Sequence, residues 1–482
     1  MKKLLSESND QQLQICHYIL SSPKQSRSSK EIQDALNLSE HIVKTRCDAL
    51  IADIQQIAET PMHCLLEYAF NQYKISGSSG DIINRLLLKY GKKSRIFQLL
   101  HMIVTKSYVA ISNYQDIAFV GESNAYNMKD NLKDFLSDYG LSIGKKNQLI
   151  GEEYVIRQLL YSIYYTIFKN LEIPFESYIE NEAQQIFNQL LKEELCSFEL
   201  SEADKNKLLT YLMITVLRIN HQYFLHEKNK YFPSERRFTQ TIQFIQKRFK
   251  LSNERANLEW QLIKSFLEIE KIIPYANTIY RQETTQKINN AAEGLLKYLE
   301  QYRIDRSNKQ TLELIDFGFR NMFKMVFLSA SKRVDSLFYL REMDVSEGDS
   351  LHLKICHAFM HSYIQEKGEV YQSLLKNHLL MRDLTISLER ILLESGLRYE
   401  VSIRLDFSMG PSYQEYIKKW IQRSLDIPIT IVENSKEKAN ILVTDYLTKS
   451  RNEERLLIWS NPSTPNDWKA LKEWIREELS NP

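Results

Sequence analysis

Polar and cationic side chains gather at the start of two predicted helices, and their types suit contacts with nucleic acid. Arginine and lysine can donate to guanine, while serine and threonine can donate to a phosphate or a base. The first helix offers Ser39, Glu40, His41, Lys44, Thr45 and Arg46. The second helix offers Asn124, Tyr126, Asn127, Lys129 and Lys133. Because carboxylates are mixed among few cations, we expect modest sequence specificity, with phosphate contacts and DNA shape supplying much of the affinity.

Two further groups of cations suit a polyanion. Lys145 and Lys146 lie at the tip of a predicted hairpin, where they would favour a phosphate or the minor groove. Between Asp81 and Asp116 there is no acid, and the cations there are Arg85, Lys89, Lys92, Lys93, Arg95 and Lys106. This cluster would lie along phosphates, although a solvated helix face explains it equally well.

Metal and nucleophilic chemistry have little support. His357 and His361 stand four residues apart beside Cys356, a spacing that can hold a metal. The segment lacks the glutamate that follows the first histidine of a metalloprotease motif, so we interpret the pair as coincidental. Because no glycine-rich phosphate loop and no GxSxG motif occurs, the sequence predicts neither an enzyme nor a cofactor.

The elements that must position the first group form a predicted winged helix-turn-helix. Helices are predicted over Gln11–Leu20, Lys30–Leu36 and Ser39–Ile54, with Ser28 and Ser29 as caps and a tight turn at Asn37. Two short strands follow, around His63–Glu67 and Tyr73–Ile75. The residues expected inward are Ile32, Ala35 and Leu36 on the second helix, then Ile42, Val43, Leu50, Ile51 and Ile54 on the third.

A second copy follows a predicted linker at residues 76–80. The first helix of this copy is predicted at Ser94–Val104. Ser112 caps the second helix, on which Ile117 and Ala118 are expected inward, and the third is predicted at Ala125–Tyr139 after a turn at residues 121–124. A hairpin ends near Ile150. When the two third helices are aligned at Ser39 and Asn124, their apolar positions correspond: Val43, Cys47, Leu50 and Ile51 in the first, and Met128, Leu132, Phe135 and Leu136 in the second. A third helix of this length fits the major groove, although either unit alone could merely pack against its neighbour.

The remaining chain indicates a mainly α, multidomain fold. Residues 152–393 have an almost continuous helical pattern, and strands then alternate with helices, which is typical of a small α/β domain with a parallel sheet. The predicted domains are two helix-turn-helix units at 1–76 and 81–151, helical bundles at 152–280 and 281–394, and an α/β domain at 396–482.

Composition agrees with a cytoplasmic protein. The 482 residues include 13 glycines and 10 prolines, few for this length, and the net charge is +2. Five cysteines show no CxxC spacing, which suits a reducing cytosol. The best apolar run, from Leu208, is stopped at Arg218, whereas a membrane span needs about 20 residues. The N-terminus has no apolar segment of signal-peptide length, so we expect no membrane contact.

One passage carries a resemblance to a known family. Residues 139–143 read Tyr-Gly-Leu-Ser-Ile, and residues 149–160 follow with a G-E-x-x-x-x-R pattern from Gly151 to Arg157. With the order of parts along the whole chain, this resembles the Mga/AtxA-like global regulators of Gram-positive bacteria. The resemblance implies that the bundles are regulation domains whose histidines accept phosphate from the phosphocarrier protein of the sugar phosphotransferase system. It also implies an enzyme IIB-like tail that forms a homodimer or higher oligomer.

Two positions depart from the patterns of that family. An acceptor histidine would precede a helical arginine by seven residues, but Tyr211 stands seven residues before Arg218. The nearest substitutes are His221 and His226, and the second bundle offers His352, His357, His361 and His378. In the tail, Ser408 stands where an enzyme IIB domain has its phosphorylated cysteine, so we expect the fold without phosphotransfer.

These observations predict a DNA-binding transcriptional regulator that binds double-stranded promoter DNA. An RNA-binding antiterminator would also contain such bundles, but its small β-rich RNA module is opposed by the helical period of the first 60 residues. A phosphotransferase component is opposed by Ser408 and by the two helix-turn-helix units.

Overall fold

The computed structural model describes residues 3–57, 64–69, 72–106, 110–193, 195–225, 239–270, 272–273, 282–300, 309–328, 351–366, 378–394, 401–424, 429–432, 439–446, 455–460 and 463–480. These residues are mainly helical, with a small parallel sheet towards the C-terminal end. The chain divides into two compact units, residues 1–286 with 327–340 and residues 287–326 with 341–482. The predicted division into five domains stays a prediction.

The first unit begins with three helices and a three-stranded sheet. The elements are α1 (Glu7–Leu20), β1 (Ser26–Ser28), α2 (Ser29–Leu36), α3 (Glu40–Ile57), β2 (Cys64–Ala69) and β3 (Gln72–Gly77). Ser28 and Glu31 form a capping box at α2, and Asn37 ends this helix in the left-handed conformation. The predicted elements are confirmed, and β1, which pairs antiparallel with β3, was not predicted.

The inner stripe of α3 is shifted from the predicted one. Its fully buried residues are Val43, Cys47, Leu50 and Ile54, which follow the helical period. Ile42 and Ile51 are only partly buried, and Ala35 on α2 is exposed, so the prediction for these three residues was wrong or partly wrong.

Helix α4 (Ser79–Lys93) was not predicted, and it begins within the segment at residues 76–80 that was taken for a linker. Its apolar residues Ile82, Leu86 and Tyr90 are buried, and the helix packs on α1, α3 and a later helix, α8 (Glu153–Phe168). Gly91 allows α8 to approach closely, because a Cβ atom at this position would lie 2.6 Å from Cγ2 of Ile167.

In the second set of helices, the last helix begins three residues earlier than predicted. It comprises α5 (Arg95–Thr105), α6 (Ile111–Ala118), α7 (Glu122–Ser137) and a hairpin of β4 (Ser142–Ile143) and β5 (Leu149–Ile150). Gly121 is the N-cap of α7, so residues 122–124 belong to its first turn and not to a loop. Ile117, expected inward, is exposed.

The rest of the first unit is a helical bundle. It contains α8, α9 (Ser177–Glu193), α10 (Glu202–Asn220), α11 (Gln240–Phe249) and α12 (Asn253–Ile269). The second half of α10 and residues 259–269 of α12 are buried on every face, as in the central helices of a large core. Glu193 joins two of these helices, because its carboxylate accepts hydrogen bonds from the backbone N–H groups of Gln240 and Thr241 at the start of α11.

The second unit contains four described helices before its sheet. They are α13 (Gln282–Glu300), α14 (Lys309–Leu328), α15 (Leu351–Glu366) and α16 (His378–Glu394). Buried Phe319, Phe323, Tyr363 and Leu388 belong to their core, and the Tyr363 hydroxyl donates to the Ala291 carbonyl at 3.0 Å.

The C-terminal end is a parallel α/β domain, as predicted. Strands β6 (Val401–Asp406), β7 (Ile429–Ile431), β8 (Ile441–Thr444) and β9 (Arg455–Ile458) lie in the order β7-β6-β8-β9. Helices α17 (Pro411–Ser424) and α18 (Pro465–Ser480) bury Ile417, Ile421, Leu471 and Ile475. Throughout the described part of the chain, no helix combines the length and the apolar character needed to cross a membrane.

Candidate nucleic-acid interface

The two helix-turn-helix segments are copies displaced by a constant 82 residues. Ile111 begins α6 as Ser29 begins α2, and Glu122 begins α7 as Glu40 begins α3. The helix caps between them also agree, since Asn37 has φ 51° and ψ 48° and Phe119 has φ 52° and ψ 49°.

This register corrects the predicted pairing of the two third helices, which was displaced by three residues. Buried Val43, Leu50 and Ile54 of α3 correspond to buried Ala125, Leu132 and Leu136 of α7. The error arose because glycine, serine and asparagine favour both turns and the first turn of a helix. The start of α7 at Glu122 and the burial of Ala125 distinguish the two possibilities.

The predicted contact residues of α3 lie mostly in solvent. Ser39, Glu40, His41, Lys44 and Thr45 are exposed. Ser39 also caps the helix, since its Oγ accepts from the backbone N–H of Ile42 at 3.4 Å.

Arg46 differs from its neighbours on α3. It is partly buried, and its Nε donates to Oε1 of Gln11 on α1 at 2.8 Å. This hydrogen bond directs the guanidinium towards α1, so Arg46 is less suited to a base contact than Lys44.

The predicted contact residues of α7 divide into two groups. Asn124, Tyr126 and Asn127 are exposed near the start of the helix. Lys129 is partly buried at the position that corresponds to buried Cys47, and Lys133 pairs with Asp130 at 2.8 Å. The 82-residue register also assigns exposed Ser123 to the position of His41, a residue that sequence reasoning missed and that the internal repeat identifies.

The second hairpin carries the expected basic tip. Lys145 and Lys146 are exposed between β4 and β5, and the turn closes with the backbone N–H of Gly144 donating to the carbonyl of Gln148 at 2.8 Å. These two cations are placed to contact a phosphate or the minor groove.

The basic cluster after Asp81 is largely engaged within the protein. Lys89 on α4 lies 2.6 Å from a carboxylate oxygen of Asp53 on α3, so this ion pair links the two helices. Lys92 lies 2.6 Å from Glu172, and Arg85 is paired with Asp81 on its own helix. The bond from Lys89 and another from Tyr90 outweigh burial and hold the pKa of Asp53 below its usual range. These contacts favour a structural role for the cluster.

A buried group of four charges joins α8, α10 and α12. Arg218 donates to both oxygens of Glu153, at 2.8 and 2.6 Å. Arg157 donates to Glu153 at 2.9 Å and to both oxygens of Glu259. Burial opposes the charge of Arg157, but the two carboxylates outweigh it and raise its pKa. Sequence reasoning noted the G-E-x-x-x-x-R passage but missed Glu153, whose signal is its i, i+4 spacing from Arg157 on an apolar helix.

Packing removes from solvent the position where an acceptor histidine was expected. Tyr211 is fully buried, and its ring stacks on Phe266 with centroids 3.9 Å apart. His221 caps α10 and is partly buried; burial, and then the charge of Arg218, lower its pKa. Its Nδ1 has no hydrogen-bond partner among the described residues. His226 lies outside the described residues.

The histidines of the second unit occupy two helices. His357 and His361 on α15 are partly buried, with ring centroids 6.4 Å apart. Burial raises the pKa of the neighbouring Cys356 thiol to about 12. In the part of the chain that the structure covers, no group of three histidine, cysteine or acidic residues could hold a metal. His352 and His378 lie on α15 and α16, with side chains outside the described set.

The loop after β6 is occupied by a carboxylate of the chain. The backbone N–H of Ser408 donates to Oδ1 of Asp445 at 2.7 Å, and its hydroxyl donates to Oδ2 at 2.6 Å. The backbone N–H and the hydroxyl of Ser408 are therefore already bonded to a carboxylate of the protein itself.

Comparison with protein families identifies the second helix-turn-helix segment. Residues 79–165 match the Mga helix-turn-helix domain, from the first residue of α4 into α8. No curated protein matches the chain. The match includes Glu153 and Arg157, so the domain shares the buried charges with the helical bundle. The chain therefore contains an Mga helix-turn-helix domain, and this match supports its resemblance to the Mga-like regulators.

Proposed function

We propose that the protein is a transcriptional regulator that binds double-stranded DNA through both helix-turn-helix units. The observation that carries this proposal is the internal repeat, because a segment with the same helices, the same turn and the same buried stripe as the Mga domain occurs 82 residues earlier. Each third helix presents exposed polar side chains at its N-terminal end, where helix-turn-helix proteins contact base edges.

The two units have different parts in this proposal. In the first, Lys44 is the principal cation of α3, while Arg46 mainly holds α3 against α1. In the second, Asn124 and Asn127 offer hydrogen bonds to bases and Lys145 and Lys146 contact the DNA backbone. Few cations serve either helix, so sequence specificity is modest.

The DNA-binding proposal is tested by titrating the full chain against a labelled promoter-length duplex at two salt concentrations. Affinity should fall as salt rises, in proportion to the phosphates contacted. Lys44→Ala should weaken binding by about 1–3 kcal/mol if Lys44 contacts a base, or reduce the salt slope by about one if it contacts a phosphate. Arg46→Ala should have the smaller effect.

The matched control is Lys192→Ala, which removes an exposed lysine from α9 in the helical bundle. It should bind DNA as the wild type does. If the wild-type chain binds no duplex at low salt, the proposal is wrong. If Lys44→Ala and Lys192→Ala behave alike, the first unit does not contact DNA through α3.

Regulation by the phosphocarrier of the sugar phosphotransferase system remains part of the proposal. We place the acceptor in the second unit, at His357 or His361, because Tyr211 replaces the expected histidine of the first bundle, whereas α15 carries two histidines one helical turn apart. Incubation with the phosphorylated phosphocarrier, followed by mass spectrometry at neutral pH, should label α15. Label confined to peptides that contain His221 or His226 would overturn this placement.

Self-association is assigned to the C-terminal α/β domain. Its α17 exposes Tyr416 and Trp420, and Ser408 already has its hydroxyl bonded to Asp445. Deleting residues 396–482 should turn a dimer into a monomer when mass is measured in solution. A truncated chain that still has the mass of a dimer would sink this assignment.

A further inference from the structure

Three exposed positions of the two helix-turn-helix copies differ in the same way. The first unit has Ala35, Asn37 and Lys44, and the second has Ile117, Phe119 and Tyr126 at the equivalent places. In the second unit the exposed fractions of these side chains are 54%, 92% and 46%. Three large apolar or aromatic groups therefore replace three small or polar ones at equivalent exposed positions.

The conformation of Phe119 shows that folding does not select this residue. With φ 52° it lies in the left-handed region, which asparagine adopts readily and a bulky side chain does not. The first unit has Asn37 at the equivalent position of the same turn, and asparagine is favoured in this conformation. Among the described residues with positive φ, Phe119 is the one aromatic side chain, and its ring gains almost no burial in return. Such a residue is explained by a contact outside the chain.

The position of the three residues identifies the surface. Phe119 precedes Gly121, the N-cap of α7, by two residues, and Tyr126 lies just beyond the first turn of that helix. A side chain at Gly121 would meet no atom within 4 Å, so the fold leaves open space between the two aromatic residues. Helix-turn-helix proteins insert this end of the recognition helix into the major groove.

The surrounding charges do not indicate another kind of partner. Asp116, Glu122 and Asp130 flank the three residues, and the first unit has carboxylates at the same three positions: Asp34, Glu40 and Asp48. Because the acidic residues are common to both units, they do not account for the apolar groups that occur only in the second. The major groove contains one apolar group that such side chains can contact, the C5-methyl of thymine.

We propose that Ile117, Phe119 and Tyr126 form an apolar surface that recognises thymine methyl groups in the major groove, an inference that rests on the proposed function. The first unit binds through charge and hydrogen bonds, and the second selects thymine-rich sequence by burying methyl groups. Each methyl group buried should increase affinity about fourfold.

The test uses the full chain and duplexes selected by it from a random-sequence pool. The selected duplexes are copied once with thymine and once with uracil, which pairs identically and lacks only the methyl group. The wild type should bind the thymine copies at least about fourfold more tightly. Raising the salt should weaken both complexes and leave this ratio unchanged, because a methyl contact releases no counterion.

Phe119→Asn is the informative variant, because asparagine suits the left-handed turn and the fold cannot be lost through strain. Its thermal unfolding midpoint should equal or exceed that of the wild type, while its preference for thymine copies falls by about fourfold for each methyl group that Phe119 covers. The control Tyr178→Ala removes an equally exposed tyrosine from α9 and should keep the preference. Lys44→Ala should weaken binding to both copies equally.

The outcomes separate this inference from the proposed function. Equal wild-type binding to thymine and uracil copies overturns the methyl contact and leaves DNA binding intact. A preference that is undiminished in Phe119→Asn also overturns it. If the wild type selects no duplex at all, the proposed function and this inference fail together.

Discussion

Replacing Glu153 with glutamine should destabilise the first compact unit by about 3–5 kcal/mol, because this carboxylate is the shared partner of two buried arginines. Arg218 forms both of its charged hydrogen bonds with Glu153, at 2.6 and 2.8 Å. Arg157 has Glu259 as a second partner. The substitution keeps the shape of the side chain and leaves Arg218 as a buried charge without its carboxylate.

The size of the effect follows from comparing the buried and exposed ion pairs. An unpaired buried charge costs several kcal/mol, against a total stability of about 5–15 kcal/mol for a domain. With a urea dependence of about 1–3 kcal/mol per molar, the unfolding midpoint should fall by at least about 1 M. Asp81→Asn, which removes the exposed pair with Arg85, should cost less than about 0.5 kcal/mol and is the matched control.

The assay uses a tryptophan inside the affected bundle. Trp260 is buried on α12, and the other four tryptophans all lie within residues 420–474. In the full chain labelled with 5-fluorotryptophan, the Trp260 fluorine resonance, assigned with Trp260→Phe, reports unfolding of the first unit in urea. The double variant Glu153→Gln with Arg218→Met should recover most of the loss, since it removes the orphaned charge. If Glu153→Gln shifts the midpoint no more than Asp81→Asn does, the account of the buried charges is wrong.

Two further predictions concern contacts between the Mga domain and the helix that closes it. Gly91→Ala should destabilise the first unit by about 1–3 kcal/mol despite the better helix propensity of alanine, because the new methyl would lie 2.6 Å from Ile167; an unchanged urea midpoint would show that α4 and α8 separate freely. His101 bonds through Nδ1 to the buried Tyr164 hydroxyl at 2.8 Å, and burial lowers its pKa. Because the pKa of His101 in the folded protein lies below the unfolded value of about 6.5, stability should be lost as the pH falls below that value. His101→Gln should make the unfolding temperature less dependent on pH between pH 7 and 5. An unaltered pH dependence would contradict this prediction.

Local patterns predicted the helix-turn-helix units well, because capping residues and the helical period act over a few residues. Ser28, Asn37 and Ser39 mark the ends of α2 and the start of α3 as expected. Helix α4 escaped prediction since its start, within the Ser-Gly-rich segment at residues 76–80, resembles a linker. Its stability comes from burial of Leu86 and Tyr90 against other helices, which no local window contains.

The register of the second unit needed more than composition. The Gly-Glu-Ser-Asn sequence at residues 121–124 suits a turn and a helix start equally, and the burial of Ala125 selects the helix. Once that register is known, the sequence does show the repeat, with glutamine, aspartate and glutamate recurring at Gln115, Asp116 and Glu122. The missing signal was therefore alignment of the chain with itself at the correct displacement.

By itself, the sequence determined most of the helix-turn-helix elements, the family resemblance and the absence of cysteine at Ser408, since each depends on residue identity or short spacing. The tertiary structure decided which charges remain available to DNA. Arg46 is held by Gln11, Lys89 by Asp53 and Arg218 by Glu153, partners that lie 35, 36 and 65 residues away in the chain. Electrostatic partners are chosen by distance in space, and local patterns contain no information about distances that only packing creates.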